Sequence, residues 1–321
     1  WGGDSVLNDY IATDVAEAAA AQGVVLEQRR VDSTTAAIDQ IVSEAEAGVT
    51  DGSVDLVWVN GTNFSQGKEA GLWRSDWVSL LPNASNLDPD DPTLFVDFTV
   101  DTDGQEAPWS RAAFVFAHDD AIESPPASFP ELASWVRDNP GRFTYPSPPD
   151  FTGSAFVRQA VQSLGEDAAF ELLDEMRPNL WNGGEVFPKD EAELNLLFGN
   201  DEVDIAMSYN PNFVEVNVRQ GVFSDAARPF VLRDGTLQNV SFLAMPANAG
   251  SAAGAMVVMN ELLSSELQAI KLEKVGVPAV VSVPAAAASD FQLTDFGSPL
   301  EELPSDRVTA IDERWRNQFL G

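Results

Sequence analysis

Hydrophobic positions near the start of the chain alternate between a helical and a strand-like spacing. Apolar residues recur every three to four positions over 5–22, which predicts an amphipathic helix. A strand is predicted over 24–31, a second helix up to Gly48, and a strand over 54–59, where the apolar run is nearly continuous. An alternating order of helices and strands is typical of an α/β protein with parallel sheets.

The alternation stops after residue 80 and restarts after residue 110. Residues 81–110 are rich in Asp, Pro and Asn, which predicts a long surface connection, and the apolar run AAFVFA at 112–117 predicts the next strand. Further strands are predicted at 142–145, 185–187, 203–208 and 239–245. Further helices are predicted at 130–136, 153–164, 167–176, 191–198, 213–220, 252–263, 265–275 and 306–319. The restart predicts two α/β units, with residues 1–115 and 240–321 in lobe 1 and 116–239 in lobe 2.

Charge and composition exclude several classes of function. The chain has 51 acidic and 18 basic residues and a formal net charge of −33, so it repels nucleic acid and anionic membrane surfaces. It contains no cysteine and one histidine, which argues against disulfides, thiolate metal sites and histidine-based catalysis. We therefore expect no cofactor, no resident metal and no nucleic-acid partner. No run of 18 apolar residues occurs, so we expect no membrane span.

Small polar residues lie beside an aromatic residue after several predicted strands. These segments are Trp1–Asp4, Asn60–Phe64, Ser147–Ser154 and Ser208–Pro211. In open α/β sheets, ligands bind beyond the carboxyl ends of strands and near helix N-termini. Each segment alone is compatible with ordinary turn chemistry, but their recurrence favours a site for a ligand with a flat apolar body and a few polar atoms.

A family resemblance is carried by six segments, found in this order over nearly the whole chain. They are Trp1-Gly2-Gly3, VDLVWVNGTNF (54–64), AGLW (70–73), APWSRAAFVFAHD (107–119), YPSPPDFTGSAFVRQAV (145–161) and VDIAMSYNP (203–211). The chain resembles the type 2 extracytoplasmic solute-binding proteins of ABC importers, specifically the YnjB-like branch. The resemblance implies two lobes, each a mostly parallel sheet flanked by helices, joined by two crossover strands near 114–118 and 238–243.

The resemblance also implies a function and a location. Proteins of this kind close on one small solute and present it to a membrane permease that is driven by an ATPase. We therefore expect a non-enzymatic, monomeric protein in the periplasm or another extracytoplasmic space. The resemblance implies that a signal peptide and a first core strand precede Trp1, and we expect the signal peptide to have been removed.

The strand-end segments give candidate ligand contacts. Hydrogen bonds are predicted from Asn60, Asn63, Thr152, Ser154 and Asn210. Stacking walls are predicted from Trp1, Phe64, Trp109, Phe151, Trp181 and Tyr209, with Trp109 and Tyr209 facing each other. Gly3 shares the first segment, and Asp4 and Asp150 would neutralise a positive charge.

The nature of the solute follows from these residue types. Aromatic faces attract cations, so an organic cation or a thiamine-like heterocycle is favoured. A small oxyanion or a neutral solute held at helix N-termini is the first alternative. An α/β enzyme that uses Asp and Glu as acid and base is the alternative from another class.

Overall fold

The periodic apolar segments form helices close to the predicted bounds. The computed structural model describes residues 5–31, 34–119, 122–284, 290–291, 293 and 295–321. Its helices are α1 (Ser5–Tyr10), α2 (Ala16–Ala21), α3 (Thr34–Glu46), α4 (Thr62–Glu69), α5 (Phe129–Asp138), α6 (Phe151–Leu164), α7 (Glu166–Met176), α8 (Glu191–Gly199), α9 (Phe213–Arg219), α10 (Ala252–Leu262), α11 (Ser265–Val275) and α12 (Ser305–Phe319). A π-helical turn at Ile11–Val15 joins α1 to α2, so the two continue as one predicted helix.

The strands agree less well with the apolar runs. They are β1 (Val57–Val59), β2 (Val96–Asp97), β3 (Val100–Asp101), β4 (Glu106–Ala113), β5 (Val115–His118), β6 (Ile205–Ser208), β7 (Arg228–Phe230), β8 (Thr236–Ala244) and β9 (Pro299–Leu300). The predicted strands at 24–31, 142–145 and 185–187 do not form. In the second of these, the carbonyls of Arg142 and Phe143 accept single bonds from the backbone of Asp204 and Trp181, which lie in different parts of the chain. Extended segments bonded in this way make no continuous ladder.

The strand directions also differ from the prediction. β1 pairs with β8, and β5 pairs with both β6 and β7, in antiparallel registers. β9 runs parallel to β8. The expectation of mostly parallel sheets is therefore wrong for the β1–β8, β5–β6 and β5–β7 pairs. Apolar periodicity indicates which residues are buried but not the direction of the neighbouring strand.

The chain divides into two compact units. Unit 1 comprises Trp1–Arg111 and Asn239–Ala287, and unit 2 comprises Ala112–Gln238 and Ala288–Gly321. The chain passes from one unit to the other within β4, within β8, and again between the described residues 284 and 290. Two of these passages lie close to the predicted crossover strands.

The sequence predicts that residues 240–321 belong to lobe 1, and this prediction is wrong for Ala288–Gly321, which belongs to unit 2. Helix α12 packs against α6 of unit 2, and Trp315 is fully buried in the core of that unit. The indole Nε1 of Trp315 donates to the hydroxyl of Tyr145 over 3.0 Å. An apolar helix face joins whichever core can bury it, and sequence order alone does not identify that core.

The core of unit 1 agrees with the predicted packing of its helices. Helix α11 contacts α1, and α10 contacts α2. The hydroxyl of Tyr10 donates to the carbonyl of Leu267 over 3.0 Å, which satisfies a buried polar atom at this contact. In the part of the chain that the structure describes, no helix is both long enough and apolar enough to cross a membrane.

Candidate functional site

The N-terminus of α6 places a carboxylate and an aromatic ring at the surface of unit 2. Asp150 is the N-cap of this helix, and its Oδ1 accepts a hydrogen bond from the backbone of Gly153 over 2.9 Å. Glycine is required at this position, because a Cβ on Gly153 would lie 2.0 Å from the carbonyl oxygen of Pro146. The next residue in the chain after the cap, Phe151, keeps 51% of its surface exposed.

The ring of Phe151 is supported from below by buried side chains. Its centroid lies 5.3 Å from that of Tyr209, which follows β6 and is buried in the core of unit 2. Arg158 lies seven residues further along α6, and its guanidinium carbon is 5.7 Å from the same ring centroid. The ring of Phe151 thus contacts two protein side chains, while about half of the residue's surface remains exposed.

Glu191, at the start of α8, links α6 to the end of β6. Its Oε1 accepts from the hydroxyl of Ser208 over 2.8 Å, and its Oε2 accepts from the hydroxyl of Thr152. The Oγ of Ser208 in turn accepts the backbone N–H of Asn210 over 3.0 Å. These bonds tie together two of the strand-end segments that the sequence singled out.

The carboxyl groups at this end of unit 2 have raised pKa values. Burial raises the pKa of Glu191 to about 7, with a further increase from the charge of Asp150, although the two hydroxyl donors act in the opposite direction. Burial also raises the pKa of Asp150, and the charge of Asp190 adds to this effect. Glu191 is not among the site residues predicted from the sequence, because an acidic residue in the first turn of a helix is common.

Two predicted hydrogen-bonding residues of α6 have their hydroxyls engaged by the protein. Thr152 is buried and donates to Glu191. Ser154 is buried, donates to Oδ1 of Asp312 over 2.6 Å, and accepts from Nη1 of Arg158 over 2.7 Å. Each hydroxyl has one hydrogen, and that hydrogen is already used within the protein, so these two residues could meet a ligand only as acceptors. Their contact with a ligand stays a prediction.

Asn60 in unit 1 is likewise bonded on both sides of its amide. Its Nδ2 donates to Oδ1 of Asp97 over 3.0 Å and to the carbonyl of Val240 over 2.8 Å, while its Oδ1 accepts from the indole of Trp58 over 3.0 Å. Asp97 also accepts the backbone N–H of Gly61 over 2.6 Å. Asn60 therefore holds the turn after β1 in place, and a ligand could share only its remaining lone pair.

Two of the predicted stacking residues lie inside unit 1. Phe64 is fully buried beneath β1, and Trp109 is 2% exposed in the main core of the unit. Trp109 meets Trp58 edge to face with 5.0 Å between ring centroids, and the ammonium of Lys271 lies 5.5 Å from its ring. Trp109 and Tyr209 are thus buried in different cores, so their predicted stacking across a cleft is wrong. Burial of the large apolar area of these rings stabilises the fold, which favours their place in a core.

Three further candidates, Asn63, Trp181 and Asn210, are partly buried. Asn63 is partly buried on α4. Trp181 is partly buried against the core of unit 2, and its backbone donates to Phe143. Asn210 is partly buried, and its Oδ1 accepts the backbone N–H of Asn212 over 3.1 Å. Trp1, Gly3 and Asp4 lie outside the described residues.

A group of three carboxylates elsewhere in unit 2 is compensated by an arginine. Carboxylate oxygens of Asp119, Asp201 and Asp204 lie within 4.8 Å of one another. Arg142 donates to Asp201 over 2.6 Å and to both oxygens of Asp204. Asp204 and Asp201 raise the pKa of the Arg142 guanidinium, which offsets part of the negative charge of the group.

Comparison with known proteins identifies the class to which this molecule belongs. The chain is a member of the family described as bacterial extracellular solute-binding proteins, whose model matches residues 15–293. Protein YnjB of Escherichia coli (strain K12) is 33% identical over 347 residues, which cover 99% of this chain and 89% of YnjB. The predicted resemblance to the YnjB-like branch is thereby confirmed.

Solved structures agree with this assignment at the level of the fold. A putative extracellular solute-binding protein from Bordetella parapertussis matches with a TM-score of 0.75 at 14% identity, over 100% of this chain and 97% of that one. A structure named periplasmic thiamin binding protein matches with a TM-score of 0.70 at 18% identity, over 97% of this chain and 92% of that one. The predicted α/β periplasmic-binding-protein fold is confirmed. The family description is that of extracellular proteins that bind solutes.

Proposed function

We propose that this chain is the extracytoplasmic component of an ABC importer that captures one small organic cation and delivers it to a membrane permease. Membership of the solute-binding family supports the general role. In this proposal the protein acts as a monomer without catalysis, and units 1 and 2 serve as its two lobes.

A single observation carries the choice of a cation. The exposed Phe151 follows the capping residue Asp150 directly in the sequence, and the charge of Asp150 acts on the carboxyl group of Glu191. An aromatic face next to carboxylates attracts an ammonium or a positively charged heterocycle. The nearby guanidinium of Arg158 has Glu302 as its ion-pair partner. A thiamine-like heterocycle suits such a site, because it combines a flat ring with a positive charge.

The alternative of an oxyanion at a helix N-terminus has less support. At the start of α6, the N–H of Gly153 that would bind an anion already donates to Asp150. An oxyanion would also meet the negative charges of Asp150 and Glu191. An enzyme that uses these two groups as acid and base would need a free carboxyl oxygen on Glu191, and both oxygens accept protein hydroxyls.

A thermal-shift screen tests the proposal directly. The compounds are thiamine, spermidine and putrescine as cations, glucose as a neutral solute, and phosphate and sulfate as oxyanions. A ligand at a hundredfold excess over its dissociation constant stabilises the protein by about 2.7 kcal/mol. We expect at least one cation to raise the melting temperature while the oxyanions leave it unchanged. Stabilisation by an oxyanion or by glucose alone would overturn the choice of a cation.

A further inference from the structure

The carboxylate of Glu191 receives hydrogen bonds from both strand-end segments of unit 2 described above. Thr152 lies in the first turn of α6, and Ser208 ends β6. The two donors are 39 and 17 residues away from Glu191 in the sequence, on opposite sides of it. The hydroxyls of Thr152 and Ser208 are linked to each other through the carboxylate of Glu191.

We infer that Glu191 is a positioning residue, which holds the Phe151–Thr152 segment and the Ser208–Asn210 segment in the arrangement that contacts the solute. The inference rests on the proposed function, since it takes these segments as the solute-binding surface of unit 2. Glu191 itself need not touch the solute. It acts through Thr152 on one side and through Ser208 on the other.

The direction of the hydrogen bonds explains why a carboxylate is needed here. The Oγ of Ser208 accepts from the backbone of Asn210, so its own hydrogen is directed to Glu191. Thr152 also donates, so the residue between them must accept on both oxygens. An ionised glutamate accepts on both, whereas a glutamine presents one acceptor and one donor. On one side, the NH2 group of a glutamine would therefore face a hydroxyl hydrogen, and two donors cannot form a hydrogen bond with each other.

The charges around Glu191 make this link sensitive to protonation. The carboxylate of Asp150, at the cap of α6, acts on Glu191, whose own helix has Asp190 at the cap and Glu193 two residues after Glu191. The residues of β6, which packs against α8, are uncharged. Protonation of Glu191 would convert one of its two acceptor oxygens into a donor and release one of the two segments.

The inference can be tested without a ligand by following methyl and backbone amide signals in a pH titration of the full chain by NMR, from about pH 5 to about pH 9. We expect the γ-methyl signal of Thr152 and the amide signals of Ser208 and Asn210 to shift together with one midpoint. The amide of Gly153 is left out because it donates to Asp150. Glu191→Gln should abolish both shifts. The matched control is Glu171→Gln on the exposed surface of α7, which should leave both unchanged.

A second variant and a second measurement keep the test decisive. Ser208→Ala should remove the shift of the Ser208–Asn210 segment while that of Thr152 persists. Calorimetry with thiamine should show an affinity about tenfold lower for Glu191→Gln than for the parent chain. Different midpoints in the two segments, or shifts that survive Glu191→Gln, would overturn the inference. If the segments titrate together but neither thiamine nor any other cation binds, the proposed ligand is wrong and the link through Glu191 stands.

Discussion

Arg158 and Glu302 form a two-bonded ion pair inside unit 2, with side chains 2% and 1% exposed. The guanidinium Nε and Nη2 donate to the two carboxylate oxygens over 3.0 and 3.1 Å. The pair joins α6 to the segment before α12. The guanidinium carbon of Arg158 also lies 5.7 Å from the ring centroid of Phe151. The C-terminal segment thus supports the start of α6 from within.

Removing one member of this pair should strongly destabilise the protein. Glu302→Ala leaves Arg158 buried without its partner, and we expect the free energy of unfolding to fall by about 3–5 kcal/mol. Urea denaturation at neutral pH measures the change. Glu301→Ala, at the exposed neighbouring position, should change it by no more than about 0.5 kcal/mol. Equal losses in the two variants would contradict a specific role for the pair.

Two aromatic residues should separate stability from binding. Trp109→Ala empties a core position, so we expect a loss of about 3–5 kcal/mol in unfolding free energy and no selective effect on the affinity for a cation. Phe151→Ala removes an exposed ring, so it should weaken cation binding while costing less than about 1.5 kcal/mol of stability. Denaturation and calorimetry on both variants check this. The reverse pattern would place the ligand at Trp109.

Asp150 is a helix cap, and we predict that it also meets the positive charge of the solute. Asn caps a helix nearly as well as Asp, so Asp150→Asn should leave the melting temperature almost unchanged. The loss of its charge should nevertheless lower the affinity for the cation identified by the thermal-shift screen. An unchanged affinity would reduce Asp150 to its capping role and would favour a neutral or anionic solute.

The raised pKa of Glu191 predicts a pH dependence of stability. Its value is about 7 in the folded chain against an ordinary 4.5, so between these two pH values the folded state holds more proton than the unfolded state. The contribution of Glu191 to stability is therefore present at low pH and is lost as the pH rises through about 7. Relative to the parent chain, Glu191→Gln should become steadily more stable over this range. Urea denaturation of both proteins at several pH values provides the comparison, and a difference that is flat with pH would contradict the prediction.

The sequence predicted the helices well because amphipathic spacing is a local property. Helices α6, α7 and α11 begin and end within two residues of their predicted bounds. Strand pairing and unit membership depend on distant residues instead. The segment around Arg142 is extended but bonds to Asp204, and the face of α12 that contains Trp315 packs on Tyr145; no local pattern encodes either choice.

The candidate site shows the same limit. Asp150, Phe151 and Asn210 are predicted site residues because they follow predicted strands and combine charge, amide and aromatic groups, and their role stays a prediction. Glu191 was missed, since only the folded chain brings its carboxylate to Thr152 and Ser208. Phe64 and Trp109 were misplaced because the same apolar area that favours stacking on a ligand favours burial in a core.

The three passages of the chain between the units have a consequence for dissecting the protein. Residues 112–238 are contiguous, yet they are not a self-sufficient module, because Glu302 and Trp315 come from the far end of the polypeptide. A graft of unit 2 onto a related scaffold must therefore carry two separate pieces of chain. A stop codon after residue 287 would spare every residue of unit 1 and damage unit 2 alone, so the unit that contains Phe151 is completed by residues synthesised after the whole of unit 1.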